Sequence, residues 1–229
     1  MENLSKDFKK YAKDKFNVSS SQFEEYLKSY ATAKGLPMDS MTPYILEERE
    51  MRVTQMDIFS RMMRERILWV SGEVNQYMSD VVKAQILYLA SVSSEDITMY
   101  IDSPGGSVLN GLSMIDTIEL VKPDIKTINN GLCASMGSVL LGAGAKGKRL
   151  ALPNSFVMIH QVSSGYQGNI QDIEISYKLS QRLNDRLFKL LGKYSGKTEE
   201  TVKNDAVRDL WLDSEEAKEY GLVDEIIGE

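Results

Sequence analysis

Short apolar runs alternate along the chain with stretches whose apolar positions recur at helical spacing. The apolar runs of the first half predict strands at 67–70, 97–101 and 124–128, and the periodic stretches predict helices at 57–66, 79–90, 108–120 and 135–144. Strands and helices that alternate in this way favour an α/β fold of repeated strand-helix units with parallel pairing.

The second half adds shorter strands and one long helix. Residues 150–160 predict two short strands interrupted by a turn, so His160 should lie at or just past a strand end. Helical spacing over 170–193 predicts a long helix. Such a helix either projects to contact a partner or packs against its own domain, and the pattern leaves both open.

The C-terminal residues carry matching helix caps. Ser214 is placed to cap a helix over 215–220, and Gly221 suits the position just after that helix. A final strand is predicted over 222–227.

Residues 1–42 differ from the rest of the chain because they are polar and rich in lysine, aspartate and serine. Residues 21–24 have the spacing of a capping box, which predicts a helix over about 22–34. We interpret 1–42 as a helical extension or propeptide, with an unstructured tail as the equal alternative. The main domain is expected at 43–229.

Composition narrows the classes of function. With 42% hydrophobic and 26% charged residues among 229, the chain has the balance of one main soluble domain. A net charge of −6 argues against a nucleic-acid binder. The sequence shows neither the apolar core of a secretory signal nor a membrane span, so we expect no membrane association and a cytoplasmic location. The single cysteine excludes an intrachain disulfide and a multi-cysteine zinc site, and with only one histidine a metal site would need carboxylates, so no metal is expected.

Two residues suggest nucleophilic catalysis. Ser135 lies among small residues where a strand pattern changes to a helical one, and His160 is the only histidine of the chain. Serine needs a positioned base to remove its proton, and the oxyanion needs N–H donors. The amide of Met136 at a helix start and the glycine turn at Gly105 and Gly106 are candidate donors. Taken singly, a helix cap for Ser135 and a structural histidine are the more ordinary interpretations.

The spacing does not identify the acid that would orient His160. The candidate acids are Asp172, Asp185, Asp205, Asp209, Asp213 and Asp224. Cys133 is a second possible nucleophile, although no nearby cationic pattern favours its thiolate. Residues 142–149 approach a phosphate-loop motif, but they end in arginine and leave a helix for a strand, which is the inverse of a phosphate loop.

Several motifs together resemble the proteolytic subunit family of the Clp protease, ClpP, from about residue 43 to the end. The glycine turn at 100–107 (YIDSPGGS), the serine motif at 134–137 (ASMG) and the histidine segment at 152–161 (LPNSFVMIHQ) carry the resemblance. The pair at 208–209 (RD) and the run at 216–224 (EAKEYGLVD) are similar to the C-terminal signature of the family.

The resemblance implies a serine endopeptidase with a ClpP- and crotonase-like α/β fold. It assigns Asp209 as the triad acid beside Ser135 and His160, and it assigns the amides of Gly106 and Met136 as the oxyanion hole. Acyl transfer follows from these roles: the serine attacks a peptide carbonyl while the neutral imidazole accepts its proton. Activity should be lost when the imidazole is protonated.

The family pattern also implies an assembly. It places an axial loop at about 44–56, a projecting handle region at about 162–194, and an arginine, Arg208, that couples ring contacts to the triad. Two stacked heptameric rings of this chain would enclose unfolded protein substrates delivered by an AAA+ unfoldase such as ClpX, ClpA or ClpC. The unfoldase uses the ATP, so no cofactor is expected in this chain. The residues that match the unfoldase docking sites are Leu87, Tyr88 and Tyr100.

Some positions depart from the family pattern. The axial segment lacks the usual Gly-Glu-Arg, Val162 stands where proline commonly follows the His-Gln pair, and Thr98 replaces a frequent aromatic residue near the docking sites. Glycines 165 and 168 match a strand that supports extended substrate by backbone pairing. Two alternatives remain: a non-catalytic ring subunit and, with less support, an acyl-CoA hydratase or isomerase of the crotonase type.

Overall fold

The computed structural model describes residues 44–49 and 52–228, and the predictions for 1–42 lie outside this part of the chain. The chain divides into two compact units, Met1–Ile58 and Phe59–Glu229. In the first unit, β1 (Tyr44–Arg49) pairs antiparallel with β2 (Arg52–Asp57). The segment predicted as an axial loop is therefore largely made of two paired strands.

The second unit alternates strands and helices, as the sequence predicts. Its strands are β3 (Ile67–Ser71), β4 (Ile97–Ser103), β5 (Ile125–Ala134), β6 (Arg149–Ala151), β7 (Phe156–Ile159), β8 (Leu210–Asp213) and β9 (Glu225–Ile226). The helices in chain order are α1 (Ile58–Arg64), which begins at the unit boundary, α2 (Gln76–Val92), α3 (Val108–Leu120), α4 (Met136–Gly142), α5 (Ile170–Ser195), α6 (Glu199–Asp205) and α7 (Ser214–Tyr220).

One sheet of seven strands organises this unit. Strands β3, β4, β5, β6 and β9 follow one another with parallel pairing, which confirms the predicted α/β class. Strand β5 also pairs in parallel with β7, and β7 pairs antiparallel with β8. The sheet therefore forks at β5 into a branch of β6 and β9 and a branch of β7 and β8.

Apolar periodicity explains why the helices pack on this sheet. In α2, Val82, Ile86 and Leu89 are buried, and their spacing places them on one helix face. They join the apolar side chains of β3, β4 and β5 in a continuous core. Complete burial of one such side chain contributes about 1.5–3 kcal/mol, so this face anchors the helix far more strongly than its caps do.

The long helix α5 answers the question that its sequence pattern left open. Its four buried residues, Leu187, Phe188, Leu191 and Gly192, all lie in the C-terminal half, which packs on its own unit. The N-terminal half exposes large apolar side chains, including 84% of Ile170 and 67% of Ile175. The helix is therefore both a core element and a carrier of exposed apolar surface.

The structure corrects several local predictions. Asp213, not Ser214, is the N-cap of α7. Its side chain accepts a hydrogen bond from the backbone N–H of Glu216, and the Glu216 side chain accepts one from the backbone N–H of Asp213. The predicted strand at 222–227 shortens to β9, and α6 and β8 have no counterpart in the sequence-based prediction. The segment around Gly165 forms no strand within the described chain, since a strand requires a neighbour for its ladder.

Candidate active site

Ser135 lies at the junction of β5 and α4 with a backbone that serine rarely adopts. Its φ of 52° and ψ of −121° place a non-glycine residue at positive φ. Such conformations cost of order 1–3 kcal/mol and persist where the surroundings impose them. Here the Ser135 N–H donates to the carbonyl of Met158 at 2.8 Å, and the Ser135 carbonyl accepts from the hydroxyl of Ser138 at 2.6 Å. Both ends of the sharp turn are thus held by hydrogen bonds.

His160 follows the last residue of β7, as the sequence predicts. Because β5 and β7 are parallel neighbours, their carboxyl ends meet at the same edge of the sheet. The His160 Nε2 lies 2.8 Å from the Ser135 Oγ, which is hydrogen-bond distance. The next residue is also fixed, since the Gln161 N–H donates to the carbonyl of Ala206 at 3.2 Å. The sheet itself brings serine and imidazole together.

Of the six candidate acids, the structure places Asp209 beside His160. The Asp209 Oδ1 lies 3.3 Å from the His160 Nδ1, on the opposite side of the ring from Ser135. Asp209 occupies the loop between α6 and β8, and its side chain is 58% exposed, compared with 24% for His160. The distance is slightly longer than a good hydrogen bond, and such contacts commonly tighten when substrate binds.

The remaining aspartates have other surroundings. Asp205 accepts from the Tyr220 hydroxyl, Asp213 caps α7, and Asp224 pairs with Arg149. Asp172 accepts from the side chain of Asn169 at the start of α5, and Asp185 is exposed on the same helix. Tertiary structure thus resolves a choice that sequence spacing leaves open.

The two amides predicted to bind an oxyanion belong to Gly106 and Met136, which lie close to Ser135. Val74 donates to the Gly105 carbonyl at 2.8 Å and accepts from the Ser107 N–H at 2.7 Å. Val74 and Gly106 thus form a parallel β-bridge in which Val74 bonds only to the two residues that flank Gly106, so the Gly106 N–H faces away from Val74. Gly106 lines the same cavity as Ser135, and the Met136 N–H begins α4 without an intrahelical acceptor.

The glycines of this turn permit the close approach. A Cβ on Gly105, at φ 91°, would lie 2.7 Å from the Ser135 Cβ and 2.8 Å from the Met136 nitrogen. A Cβ on Gly106, at φ 143°, would lie 2.5 Å from the Val74 carbonyl oxygen. A side chain at either position would therefore displace the nucleophile or the turn.

A cavity of about 170 Å³ opens beside the serine and the imidazole. Its walls away from the polar groups are apolar, and they come from α3, α4, the buried half of α5 and the segment just after His160. The apolar wall residues are Val108, Val139, Val162, Leu187 and Leu191. The cavity therefore presents apolar surface beside Ser135 and His160.

Two competing hypotheses about chemistry lose support. Cys133 is completely buried, and burial, with a smaller contribution from Asp102, raises the pKa of its thiol well above the ordinary value. A neutral buried thiol is a poor nucleophile. The segment 142–149 leaves α4 and enters β6, and its Arg149 is committed to Asp224, so it does not form a phosphate loop.

The predicted docking and coupling residues lie at the surface. Leu87 and Tyr88 are 48% and 59% exposed on α2, and Arg208 is exposed beside Asp209. Tyr100 stacks on Trp69 of the neighbouring strand with ring centroids 5.5 Å apart. Sequence analysis did not single out Trp69. The apolar run at 67–70 placed it in a strand, but only strand register shows that it faces Tyr100.

Comparison with known proteins agrees with this geometry. The profile of the Clp protease family matches residues 48–229. The chain belongs to the Clp protease family. It is 45% identical over 222 residues to the ATP-dependent Clp protease proteolytic subunit of Bacteroides fragilis strain YCH46, covering 96% of this chain and 98% of the relative. Proteins of the same name from Bacteroides thetaiotaomicron and Porphyromonas gingivalis are 44% and 41% identical, covering 98% and 97% of the relatives and 96% of this chain.

Family membership confirms the resemblance found in the sequence and makes this Clp family chain a serine protease. Within the described residues, no group of three or more histidine, cysteine, aspartate or glutamate side chains is arranged to hold a metal ion. No helix in that part of the chain is both long and apolar enough to cross a bilayer.

Proposed function

We propose that Ser135 is the nucleophile, His160 the general base and Asp209 the orienting acid of an endopeptidase. Ser135 attacks the carbonyl carbon of a peptide bond, and the neutral imidazole takes the hydroxyl proton. The same imidazole then donates that proton to the leaving amine, and water hydrolyses the acyl-enzyme by the reverse roles. The amides of Gly106 and Met136 bind the oxyanion.

The observation that carries this proposal is the 2.8 Å contact between the Ser135 Oγ and the His160 Nε2 at the ends of adjacent parallel strands. Nucleophile and base within hydrogen-bond distance, with a third group on the far side of the base, are the signature of an activated serine. The positive φ of Ser135 supports the same conclusion, since strain of this kind collects at functional sites.

We propose further that this chain forms two stacked heptameric rings around unfolded protein substrates, and that an AAA+ unfoldase such as ClpX, ClpA or ClpC supplies them. The relatives are named ATP-dependent, and this chain offers no phosphate loop in its described residues, which supports ATP hydrolysis by another protein. The exposed apolar half of α5 suits ring contact. A cytoplasmic location fits a lone buried cysteine.

Peptide hydrolysis tests the catalytic roles. Purified full-length protein should cleave a short fluorogenic peptide, and Ser135→Ala should abolish cleavage and labelling by a fluorophosphonate. Ser94→Ala, at an exposed bend after α2, is the matched control and should retain both. Retention of activity by Ser135→Ala would overturn the assignment. Turnover of an enoyl-CoA instead of peptide would favour the crotonase alternative, and an inactive wild-type ring would favour the non-catalytic subunit.

Docking and assembly need separate measurements. Native mass spectrometry of the wild type should show fourteen subunits if two heptameric rings stack.

Leu87→Ala combined with Tyr100→Ala should lose unfoldase-dependent degradation of a folded protein while keeping peptide hydrolysis. Val92→Ala, also exposed and apolar at the end of α2, is the control that should leave both activities intact.

Arg208→Ala should weaken ring stacking and peptide hydrolysis together, and a loss of hydrolysis without a change in assembly would contradict its coupling role.

A further inference from the structure

Strand β5 changes partners in its middle, and this change leaves a gap in its ladder. Residues Thr127 to Asn129 pair with β6, and Leu132 to Ala134 pair with β7. Two residues of β5 separate the two pairings, whereas four residues separate β6 from β7 on the facing side. Backbone pairing therefore cannot run continuously from one branch to the other.

The side chain of Asn129 bridges this gap. Its Nδ2 donates to the carbonyl of Phe156 at 2.9 Å, the first residue of β7. Its Oδ1 accepts from the N–H of Gly131 at 3.2 Å, and its backbone carbonyl accepts from the N–H of Leu152 at 3.1 Å. Asn129 is completely buried. Asn129 thus belongs to the last residue pair between β5 and β6 and also bonds to Phe156, the first residue of β7.

The chemistry of the two partners specifies an amide. A backbone N–H only donates and a carbonyl only accepts, so the side chain must present one acceptor and one donor at its tip. An aliphatic side chain would leave the Gly131 N–H and the Phe156 carbonyl without this partner in the core, which is costly. A buried asparagine whose side-chain oxygen and nitrogen are both hydrogen-bonded fixes the relative position of the segments that it joins, in addition to stabilising the fold.

The bridged strand is the one that carries the catalytic base. His160 follows β7 directly, and the Ser135 N–H bonds to Met158 of the same strand. We infer that Asn129 is a positioning residue that sets β7 against β5 and thereby sets the distance between the Ser135 Oγ and the His160 Nε2. This inference rests on the proposed catalytic pair. Misplacement of such a pair by about 1 Å lowers the rate by roughly a hundredfold.

Asn129→Leu removes both side-chain bonds at nearly constant size, and Asn130→Leu is the matched control one residue along β5. In full-length assembled protein, kcat for a fluorogenic peptide should fall roughly tenfold to a hundredfold in Asn129→Leu. KM should change less than kcat, because four of the five apolar wall residues lie on α3, α4 and α5. Labelling of Ser135 by a fluorophosphonate should slow by the same factor, and Asn130→Leu should match the wild type in all three measurements.

Asn129→Asp supplies a rescue that a purely structural role does not predict. A protonated carboxyl offers one donor and one acceptor, as the amide does, whereas the carboxylate has no proton for the Phe156 carbonyl. Asp102, on the neighbouring strand, is the carboxylate that faces this part of β5, through its bond from the Leu132 N–H. The ratio of kcat for Asn129→Asp to kcat for the wild type should fall as pH rises, while the ratio for Asn129→Leu stays low and constant.

The outcomes separate this inference from the proposed function. Activity that survives Ser135→Ala would overturn the catalytic pair itself. Suppose that Ser135→Ala is inactive, as the proposed function requires. If folded and assembled Asn129→Leu then keeps the wild-type kcat and labelling rate, the positioning role is wrong, even if the unfolding temperature of that variant falls. If Asn129→Leu does not fold, the pH-dependent ratio of Asn129→Asp decides, and a ratio independent of pH overturns the inference.

Discussion

The two branches of the sheet beyond β5 use polar residues in opposite ways. In the branch of β6 and β9, Arg149 donates through Nε and Nη2 to the Asp224 carboxylate and through Nη1 to the carbonyl of Tyr194. Asp224 also accepts from the backbone N–H groups of Gly147 and Arg149. The side chains of Arg149 and Asp224 are therefore held by hydrogen bonds within the protein.

At the branch of β7 and β8, the proposed catalytic groups lie beside an open cavity. The Ser135 hydroxyl and the His160 ring face each other beside an open cavity, and Asp209 beside them is more than half exposed. The same sheet therefore carries one ion pair that bonds within the protein and one group of proposed catalytic residues beside a cavity. What distinguishes them is the access of a substrate, because a group whose hydrogen bonds are all satisfied internally has none to offer a reacting molecule.

The largest effect should come from the reactive branch. His160→Ala should lower kcat by about 10⁶-fold, because the chain has no second imidazole to act as base. The double variant with Ser135→Ala should be no slower than either single variant, since the two residues act as one unit. Steady-state peptide hydrolysis measures both, with native mass spectrometry to verify assembly. A double variant slower than either single variant would show that the residues act separately.

Asp209→Asn should have the next largest effect, a loss of roughly 10² to 10⁴ in kcat, because an amide beside Nδ1 no longer stabilises the charged imidazolium. Asp205→Asn is the control: that carboxylate bonds to Tyr220 and should leave kcat unchanged within a few-fold. Comparison of kcat for the two variants tests the choice of acid. Equal kcat in the two variants would contradict the choice of Asp209, and the orienting acid would again be one of the several aspartates that sequence spacing allows.

Asp224→Asn should act on stability instead of catalysis. Removal of the carboxylate leaves the nearly buried Arg149 without its partner, which should lower the free energy of unfolding by about 3 kcal/mol. Chemical denaturation measures this loss, and kcat should be unchanged at temperatures where the variant is folded. Asp96→Asn, which weakens the exposed pair with Lys148, is the control and should cost less than about 1 kcal/mol.

The same variant has a predicted dependence on pH. Burial alone would raise the pKa of Asp224, but the hydrogen bonds from Arg149 and Gly147 hold it below its usual 3.8. The stabilisation is therefore complete above that value and is lost as pH falls through the lower, folded-state pKa. The stability difference between wild type and Asp224→Asn should shrink over that acid range. A difference that grows on acidification would contradict the assignment.

The smallest effect is expected from the N-cap of α7, the helix that follows β8. Asp213→Ala removes the capping box of α7 and should cost about 1 kcal/mol of stability without changing kcat, because α7 lies outside the cavity. Glu215→Ala, an exposed first-turn residue, should cost a few tenths of a kcal/mol. Thermal unfolding of the two variants distinguishes them, and equal losses would argue against the Asp213 cap.

Local pattern predicted the elements well and their ends less well. The apolar spacing of α2 and the run that became β4 were sufficient, because burial on one face leaves a period in the sequence. Strands β8 and β9 were missed or overextended, since a short strand is defined by its neighbour and has too few residues to show a period. The cap of α7 was displaced by one residue because Asp213 and Ser214 are both good capping types.

The sequence by itself determined the α/β alternation, the positions of Ser135 and His160 at the ends of strands, and the restriction of base catalysis to one imidazole. These follow from composition and from periodicity over neighbouring residues. Family resemblance had assigned Asp209 as the acid, but only the tertiary structure shows that it lies beside His160, that Trp69 stacks on Tyr100, and that Asn129 bridges the fork. Each of these depends on residues far apart in the chain, and their distances depend on strand register and not on sequence spacing.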